Sequence, residues 1–492
     1  MNGSDVVIVG AGSAGCALAA RLSEDPDRRV LLLEAGPDYG FGALPAEIRD
    51  GGVPAFTHGW GYLSEPSSTG HVVDLARGRL VGGCSAVNAT FALRGSPADY
   101  DRWAATGAPG WGWQDVLPAF RRLETDLDFG YLPWHGAAGP IPIRRYSDAE
   151  LGPGPLWFLA ACERSGHPLV VDHNEPGVAG AGRLPVNAVG GVRQSAAITY
   201  LAAARGRPNL TIRADAHVDR LELDGTRARG VVLAGGEVLY ADQVVVAAGA
   251  YGSPAMLLRS GVGPADELRR LGIPVVADLP SVGANLQDHV AAAVVFEPAG
   301  DVDRAHPAYQ AVLTHRSSAW RGPEPDLQIV VRTARPGQGL ELFAALLRPD
   351  SRGRVELRDR DPLSPPRIRT GFLTEPNDRA RLVEAFLVIR ELAASGQLLP
   401  LTRRMAAPGP LFDWSPESVA AHLDSQHWSY FHPVATCAIG SVVDPEGGIL
   451  GIERVHVVDA SIFPDVPSAN TNLPTLMAAE RCVTALARMA DR

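Results

Sequence analysis

The chain has 492 residues, of which 46% are hydrophobic and 20% are charged, and it carries a formal net charge of -10 at pH 7. A chain of this length is too long for one compact core, so we expect two or three domains. The acidic balance argues against a nucleic-acid partner. All 45 basic residues are arginine, which excludes chemistry that requires lysine, such as a Schiff base or a P-loop.

The cysteines and the hydropathy indicate the compartment. Five scattered cysteines without a Cys-x-x-Cys pair occur at Cys16, Cys84, Cys162, Cys437 and Cys482. This usage is typical of a reducing compartment rather than of a disulfide framework or a zinc site. The first apolar run leaves no room for a signal peptide, and no apolar stretch reaches the ~20 residues that span a bilayer. We expect a cytoplasmic protein without a transmembrane segment, and peripheral contact with the inner face of the membrane stays open.

The start of the chain has the pattern of a dinucleotide-binding unit. A β-branched run over residues 6–9 precedes Gly10, Gly12 and Gly15, and Glu34 ends a second apolar run nineteen residues after the last glycine. Gly10 permits a tight turn, Gly12 lets the backbone approach a pyrophosphate, and Gly15 lets a helix pack closely on the strand. The helix N-terminus then presents free N–H groups to the phosphate. Glu34 is placed to accept hydrogen bonds from ribose hydroxyls.

Further along the chain, Trp- and Leu-containing residues 109–125 predict a helix. Residues 210–213, 216–223 and 230–233 are short strand patterns that predict a small antiparallel sheet. A fully apolar run over residues 243–249 is typical of a buried parallel strand. Ser253, which precedes a proline, indicates the N-cap of the next helix.

From about residue 290 the pattern changes to short β-like segments separated by Pro- and Asp-rich turns. These segments, which predict an antiparallel sheet, are residues 291–296, 327–333, 340–347, 354–358 and 367–372. A helix is predicted over 378–394. A strand over 455–458 and a helix over 475–490 then return to the character of the first domain.

Five further segments resemble signatures of the glucose–methanol–choline (GMC) oxidoreductases. They occur in the order of that family, at residues 78–88, 252–263, 282–289, 432–437 and 458–475. The resemblance covers essentially the whole chain. It implies FAD as the cofactor, a small-molecule alcohol as the substrate, and oxidation of that alcohol by hydride transfer to the flavin N5.

The expected fold is therefore α/β, with a discontinuous, Rossmann-like FAD-binding domain and a substrate domain built on an antiparallel β-sheet. The predicted boundaries are 1–145, 191–295 and 426–492 for the FAD-binding domain, 146–190 for a substrate-domain or lid segment, and 296–425 for the substrate-binding domain.

His432 is the candidate catalytic base. Oxidation of an alcohol needs a base for the hydroxyl proton and an acceptor for the hydride, and only a cofactor can accept the hydride. A neutral imidazole, with an ordinary pKa of about 6.5, can take the proton at neutral pH. The resemblance implies a second polar residue beside this histidine, and Asn470 occupies the corresponding position. Its amide can orient the substrate oxygen.

The resemblance also implies which residues hold FAD. The helix that opens at Pro474 and Thr475 would direct its positive N-terminal end at the flavin, and Asp459 and Ala460 would face the ribityl chain. The full predicted set is Gly10, Gly12, Ser13, Gly15, Glu34, Ala35, Arg79, Val81, Gly82, Cys84, Asn88, Ala89, Val218, Ala248, Gly249, Asp459, Ala460, Asn472, Pro474 and Thr475.

Val87 bears on how the flavin is attached. In some family members a histidine at this position is bonded covalently to the flavin, and valine cannot form that bond. We therefore expect non-covalent FAD.

Other histidines are interpreted as surface or turn residues without a metal, because their spacing is not that of metal ligands. They are His58, His71, His135, His167 and His173. His427 and Tyr430 flank the catalytic segment and are possible pocket residues.

Several alternatives stay open. A lyase or photodecarboxylase could use the same fold without taking hydride from an alcohol. A NAD-dependent dehydrogenase would explain the first glycine motif but not the later segments. Residues 81–90 and 134–136 resemble actinobacterial members associated with the redox peptide mycofactocin, which favours an electron acceptor other than oxygen, such as a quinone or a redox carrier, over an oxygen-using alcohol oxidase. Aromatic residues beside His432, with no acid adjacent in sequence, favour an apolar or aromatic alcohol.

Overall fold

The computed structural model describes residues 3–300, 306–335, 338–395 and 401–489. The strands are β1 Ser4–Val9, β2 Val30–Leu33, β3 Glu124–Asp126, β4 Ile141–Ile143, β5 Leu169–Val170, β6 Ala181–Arg183, β7 Ala188–Val189, β8 Val192–Arg193, β9 Leu210–Arg213, β10 Val218–Asp224, β11 Arg227–Leu233, β12 Val238–Val246, β13 Val262–Gly263, β14 Ala277–Asp278, β15 Val290–Pro298, β16 Tyr309–His315, β17 Leu327–Arg332, β18 Leu340–Leu346, β19 Arg354–Glu356, β20 Arg367–Arg369, β21 Thr402–Ala407, β22 Trp428–Ser429 and β23 Val455–Val457. The α-helices are α1 Ser13–Leu22, α2 Ala46–Arg49, α3 Pro97–Ala105, α4 Trp113–Leu123, α5 Pro153–Arg164, α6 Ala202–Ala204, α7 Gly249–Arg259, α8 Ala265–Arg270, α9 Pro376–Ala394, α10 Pro416–Gln426 and α11 Asn472–Met489.

The first sheet has a parallel centre, in which the strands follow the order β23, β12, β1, β2, β9. Val7 pairs with Val244 on one side and with Leu31 on the other. The strands at its centre are continuous apolar runs because both faces of the sheet are covered. Helix α1 packs against α11, which in turn contacts α4. The N-terminal part of β12 leaves the parallel centre and pairs antiparallel with β11, which continues into β10.

The second sheet is mostly antiparallel, in the order β21, β15, β18, β17, β16, β6, β5, with β22 paired to the start of β15. Its strands alternate between two faces, as the two-residue period of a strand requires. In β17, Leu327, Ile329 and Val331 pack in the cluster that contains residues of helices α5 and α9, whereas Val330 and Arg332 face the other way. That other face forms one wall of a large cavity.

The structure confirms most predicted elements. It corrects the sheet assignment of two groups of strands and moves the start of one helix. Strand β9 does not join a small antiparallel sheet with 216–223 and 230–233, because it pairs in parallel with β2 at the edge of the first sheet. The segments 354–358 and 367–372 contribute a separate two-stranded ladder, β19 with β20, outside the large antiparallel sheet. The predicted C-terminal helix begins three residues earlier, at Asn472, and residue 490 lies outside the described residues.

Candidate active site

A cavity of about 970 Å³ runs from the carboxyl end of β1 to the loop after β22. This volume is within the range of about 300–1,000 Å³ that ligand pockets occupy. The cavity wall contains most of the predicted site residues, which are Gly10, Gly12, Ser13, Glu34, Ala35, Cys84, Asn88, Ala89, Val218, Ala248, Gly249, His432, Asp459, Ala460, Asn470, Asn472 and Thr475. Gly15, Arg79, Val81, Gly82 and Pro474 are not among the residues that line it.

The first end of the cavity is built by the turn between β1 and α1. Gly10 has a φ of 98°, and a Cβ there would lie 2.6 Å from the carbonyl oxygen of Ala247. A Cβ on Gly15 would lie 1.9 Å from the carbonyl oxygen of Gly10. Gly15 therefore acts as predicted, by letting α1 pack on the strand. A Cβ on Gly12 would meet nothing within 4 Å, so this backbone faces open cavity.

Glu34 lies at the end of β2 and is 6% exposed. Its carboxylate accepts hydrogen bonds from the backbone N–H groups of Ala11, at 3.0 Å, and Gly36, at 2.9 Å. Burial raises the pKa of Glu34 to about 7, against the lowering effect of these N–H groups. The carboxylate therefore fixes the turn and also faces the cavity, where a further donor can reach it.

The second glycine cluster packs against the first. The N–H of Gly82 donates to the carbonyl oxygen of Ala11 at 2.7 Å, and the N–H of Val81 donates to that of Pro37 at 3.0 Å. Arg79 donates to the carbonyl oxygen of Ala35 at 3.1 Å. These contacts hold the backbone around the cavity, although Arg79, Val81 and Gly82 do not line it.

Asp459 connects the middle of the cavity to helix α7. Its carboxylate accepts from the N–H of Gly249 at 2.8 Å, the hydroxyl of Ser253 at 2.6 Å and the N–H of Ser461 at 2.7 Å. Our prediction of Ser253 as an N-cap is wrong, because α7 already begins at Gly249. Ser253 is instead held inside the helix by this acid.

His432 and Asn470 meet at the other end of the cavity. Asn470 Nδ2 lies 3.1 Å from His432 Nε2, and the two residues are 8% and 7% exposed. The backbone N–H of His432 donates to Asp288 Oδ1 at 2.7 Å. The residue before it, Phe431, has a φ of 65°. A bulky residue in this left-handed conformation is strained, and such strain is concentrated at functional sites.

The electrostatics keep this histidine neutral. Burial, followed by the nearby His289 and Arg77, holds the pKa of His432 well below the ordinary value of 6.5. Asn470 Oδ1 is buried and has no hydrogen-bond partner among the described residues. An imidazole lone pair and an unpaired amide oxygen are thus both located at one end of the cavity.

Aromatic rings continue the wall beyond His432. The ring centroid of Tyr430 lies 4.5 Å from that of His432 and 5.3 Å from that of Phe343. Phe343 is followed by Trp428 and Tyr309, each 6.2 Å away. Tyr430 therefore lines the cavity, whereas His427 is not among the residues that line it and contacts the carbonyl oxygen of Leu423 at 2.8 Å.

Sequence reasoning missed two residues beside the candidate base. His289 Nδ1 lies 2.9 Å from His432 Nδ1, and Asp288 receives the N–H of His432. Both belong to the segment 282–289, to which we assigned no side-chain role. The signal was a run of polar residues, Gln287 to His289, directly before an apolar strand.

The expectation that His135 is a surface or turn residue is wrong. It is 1% exposed and contacts Glu124, Asp126 and Asp172 at 2.9, 3.1 and 2.9 Å. Arg94 pairs with Glu124, and Arg145 bridges Asp126 and Asp172. These contacts form a buried ion-pair network around His135. His58, which the same expectation covers, lines the cavity.

Comparison with known proteins defines the family. The models of the GMC oxidoreductases match residues 4–291 and 349–479. The chain is 38% identical to a 5-(hydroxymethyl)furfural oxidase from Methylovorus sp. (strain MP688), over 98% of both chains. It is 35% identical to an oxygen-dependent choline dehydrogenase from Paraburkholderia phymatum, over 97% of this chain and 91% of the other. The structure of pyridoxine 4-oxidase from Mesorbium loti superposes with a TM-score of 0.91 at 31% identity, over 98% of this chain and 99% of that one.

The chain therefore belongs to the GMC oxidoreductase family and has the α/β fold of that family. Its cofactor is FAD, so a NAD-dependent dehydrogenase is the wrong interpretation of the first glycine motif. The resemblance to mycofactocin-associated members stays a prediction. In the described ranges, no helix is both long and apolar enough to cross a membrane.

The residues of the cavity fit a flavin dinucleotide. The N-terminal ends of α1 and α11 both reach its wall, at Ser13 and Asn472, and helix N-termini attract phosphate and other anions. Glu34 offers a carboxylate for hydroxyl groups. The buried hydroxyl of Tyr251, which lines the same cavity, has no partner within the described part of the chain.

Proposed function

We propose that this protein oxidises a primary aromatic alcohol to its aldehyde, with His432 as the general base and Asn470 as the residue that orients the substrate oxygen. The observation that carries the proposal is the 3.1 Å separation of His432 Nε2 and Asn470 Nδ2 at the end of the cavity. Bound FAD supplies the acceptor for the hydride, which no side chain can provide.

The proton and the hydroxyl oxygen have separate partners in this arrangement. An alcohol placed against both side chains would donate its hydroxyl hydrogen to His432 Nε2, in place of the Asn470 amide, and accept a hydrogen bond from Asn470 Nδ2. Because burial keeps the imidazole neutral, its lone pair is ready to take the proton as the C–H bond breaks. General-base assistance of this kind contributes about 10²–10⁴ in rate.

The aromatic wall supports the choice of substrate. Tyr430 lies next to the base, and the rings of Phe343, Tyr309 and Trp428 continue the wall beyond it. Such rings can pack against an aromatic substrate at favourable offset or edge-to-face angles. Two relatives are named as oxidases of 5-(hydroxymethyl)furfural and of pyridoxine. These two compounds and benzyl alcohol are therefore the first candidates, and choline and hexanol provide the comparison.

Anaerobic mixing of the holoenzyme with this panel tests the proposal. We expect the yellow flavin absorbance to bleach rapidly with the aromatic alcohols and slowly with hexanol or choline, and we expect the aldehyde as product. If none of the alcohols bleaches the flavin, the proposal fails and a lyase or a photodecarboxylase on this fold becomes the better interpretation. Light-dependent loss of CO₂ from a carboxylic acid would then be measured.

Reoxidation of the reduced enzyme identifies the electron acceptor. Our sequence-based hypothesis is an acceptor other than oxygen, so we expect a quinone or another redox carrier to restore the yellow colour faster than air-saturated buffer does. Faster reoxidation by oxygen would make the protein an alcohol oxidase.

A further inference from the structure

Two contacts connect the candidate base to a backbone carbonyl group, and a third connects it to Asn470. His289 Nε2 lies 3.1 Å from the carbonyl oxygen of Pro467, and His289 Nδ1 lies 2.9 Å from His432 Nδ1. His432 Nε2 in turn lies 3.1 Å from Asn470 Nδ2. His289 is completely buried, so bulk water does not compete for either of its ring nitrogens.

Only one arrangement of protons satisfies this chain of contacts. A carbonyl oxygen can only accept, so His289 Nε2 carries a hydrogen and donates it to Pro467. A neutral imidazole has one N–H, which leaves His289 Nδ1 with a lone pair. His432 Nδ1 must therefore donate to it. His432 Nε2 then holds the lone pair that faces the amide of Asn470.

We propose that His289 is a positioning residue, which the carbonyl group of Pro467 fixes as a hydrogen-bond acceptor and which thereby holds His432 in the tautomer with Nδ1–H and a lone pair on Nε2. The base is thus prepared before the substrate arrives. The inference rests on the proposed function for the role of His432 in the reaction, but the tautomer itself can be observed in the absence of any substrate.

The same contacts suit the protonated base. When His432 Nε2 takes a proton, Nδ1 keeps its hydrogen and still donates to His289, so the chain does not have to rearrange. Burial, followed by the nearby Arg348, lowers the pKa of His289 to about 3. His289 therefore stays an acceptor, and the proton from the alcohol remains on His432. Asp288 accepts the backbone N–H of His432, so that contact is unchanged by protonation of the ring.

Nuclear magnetic resonance of protein labelled with ¹⁵N-histidine measures the tautomer directly. In the parent protein, we expect His432 Nδ1 to have the shift of a protonated ring nitrogen and Nε2 that of an unprotonated one. His432→Ala assigns these signals. A protonated Nε2 and an unprotonated Nδ1 in the parent would overturn the inference without the need for any variant.

Two substitutions of His289 separate positioning from packing. His289→Leu removes the acceptor at similar volume, and we expect mixed tautomers and a rate of flavin reduction by alcohol that falls on the order of 10–10³-fold, with little change in KM. In His289→Asn, the amide oxygen can replace Nδ1 as the acceptor, so this variant should recover most of the loss and the parent-like spectrum. His456→Leu is the matched control, because this histidine is also buried but lies in β23, outside the residues that line the cavity.

The outcomes distinguish this inference from the proposed function. If His289→Leu retains the parent spectrum of His432 and the parent rate, His289 has no positioning role. If His289→Leu does not fold, the parent spectrum and the His289→Asn variant still test the positioning role of His289. If the tautomer is as expected but His432→Ala reduces flavin at the parent rate, His432 is not the base and the proposed function is wrong. The inference that His289 fixes the tautomer of His432 would still stand.

Discussion

The hydroxyl of Ser13 donates a hydrogen bond of 2.8 Å to Asn472 Oδ1. These residues are the first of helices α1 and α11, and they are 459 positions apart in the chain. The contact brings two helix N-termini to the wall of one cavity. The positive ends of both helix dipoles therefore face one cavity, where each can stabilise negative charge on a bound dinucleotide.

Removing the candidate base should affect chemistry and not cofactor binding. His432→Ala should keep FAD bound, because His432 lies at the opposite end of the cavity from the dinucleotide turn. We expect flavin reduction by alcohol to slow by about 10²–10⁴. Asn470→Ala should be milder, because orientation is lost but the proton acceptor remains. Stopped-flow absorbance measures both rates, and equal rates for His432→Ala and the parent would remove His432 from its role.

The pH dependence of flavin reduction should reflect the low pKa of His432. Because burial holds this pKa well below 6.5, the imidazole stays neutral as the pH falls through 6.5. The rate should therefore stay level there and decline only at lower pH. Asp288→Asn is the control, since burial raises the pKa of Asp288 to about 6. A decline centred at 6.5 that Asp288→Asn does not move would contradict the expectation.

The affinity of the apoprotein for FAD should depend on the ionisation of Glu34. Burial raises its pKa to about 7, so the carboxylate that accepts hydroxyl hydrogen bonds is lost as the pH falls through this value. We expect binding to weaken below pH 7 by at most about tenfold per pH unit. Titration of the apoprotein with FAD, followed by fluorescence at pH values from about 5.5 to about 8.5 in steps of about half a unit, measures this dependence. Glu34→Gln should bind more weakly at high pH and without the pH dependence.

Two glycines of the first motif offer a matched pair. Gly15→Ala would place a methyl group 1.9 Å from the carbonyl oxygen of Gly10, so α1 must move away from β1 and the melting temperature should fall. Gly12→Ala meets no protein atom within 4 Å, so the fold should persist. Because that methyl group enters the cavity, FAD affinity should fall instead. Calorimetry and cofactor titration separate the two results, and similar melting temperatures would contradict the packing role of Gly15.

Val87 predicts that FAD is not covalently attached. Acid precipitation of the holoenzyme should leave all of the yellow cofactor in the supernatant and none in the pellet. Flavin fluorescence of the denatured band after electrophoresis would contradict this expectation.

The parallel centre of the first sheet could be predicted because its strands are local apolar runs with distinct turns. The glycines, Glu34 and the strand over 243–249 are all identified by neighbouring residues. The partner of β9 could not be predicted in this way. A strand pattern specifies which residues are buried, but it does not specify whether the strand pairs with β10, which follows closely in the chain, or with β2, which is distant.

The same limit applies to the candidate site. His432 and Asn470 were identified from local segments, and the structure places them together. The contact of His289 with His432 joins residues 143 positions apart, and the hydrogen bond from Ser253 to Asp459 joins residues 206 apart. Neither pair leaves a periodic signal. The sequence therefore predicts the side chains that face the cavity better than it predicts the side chains that position them.

The pairing of β23 with β12, and of α11 with α1, has a consequence for how this protein is made. On the ribosome, the glycine turn and the first helix emerge long before the strand and helix that pack beside them, since Ser13 and Asn472 are 459 positions apart. We therefore expect the nascent chain to enclose its coenzyme only after β23 and α11 have been translated, and a message truncated before β23 should yield no partial flavoprotein.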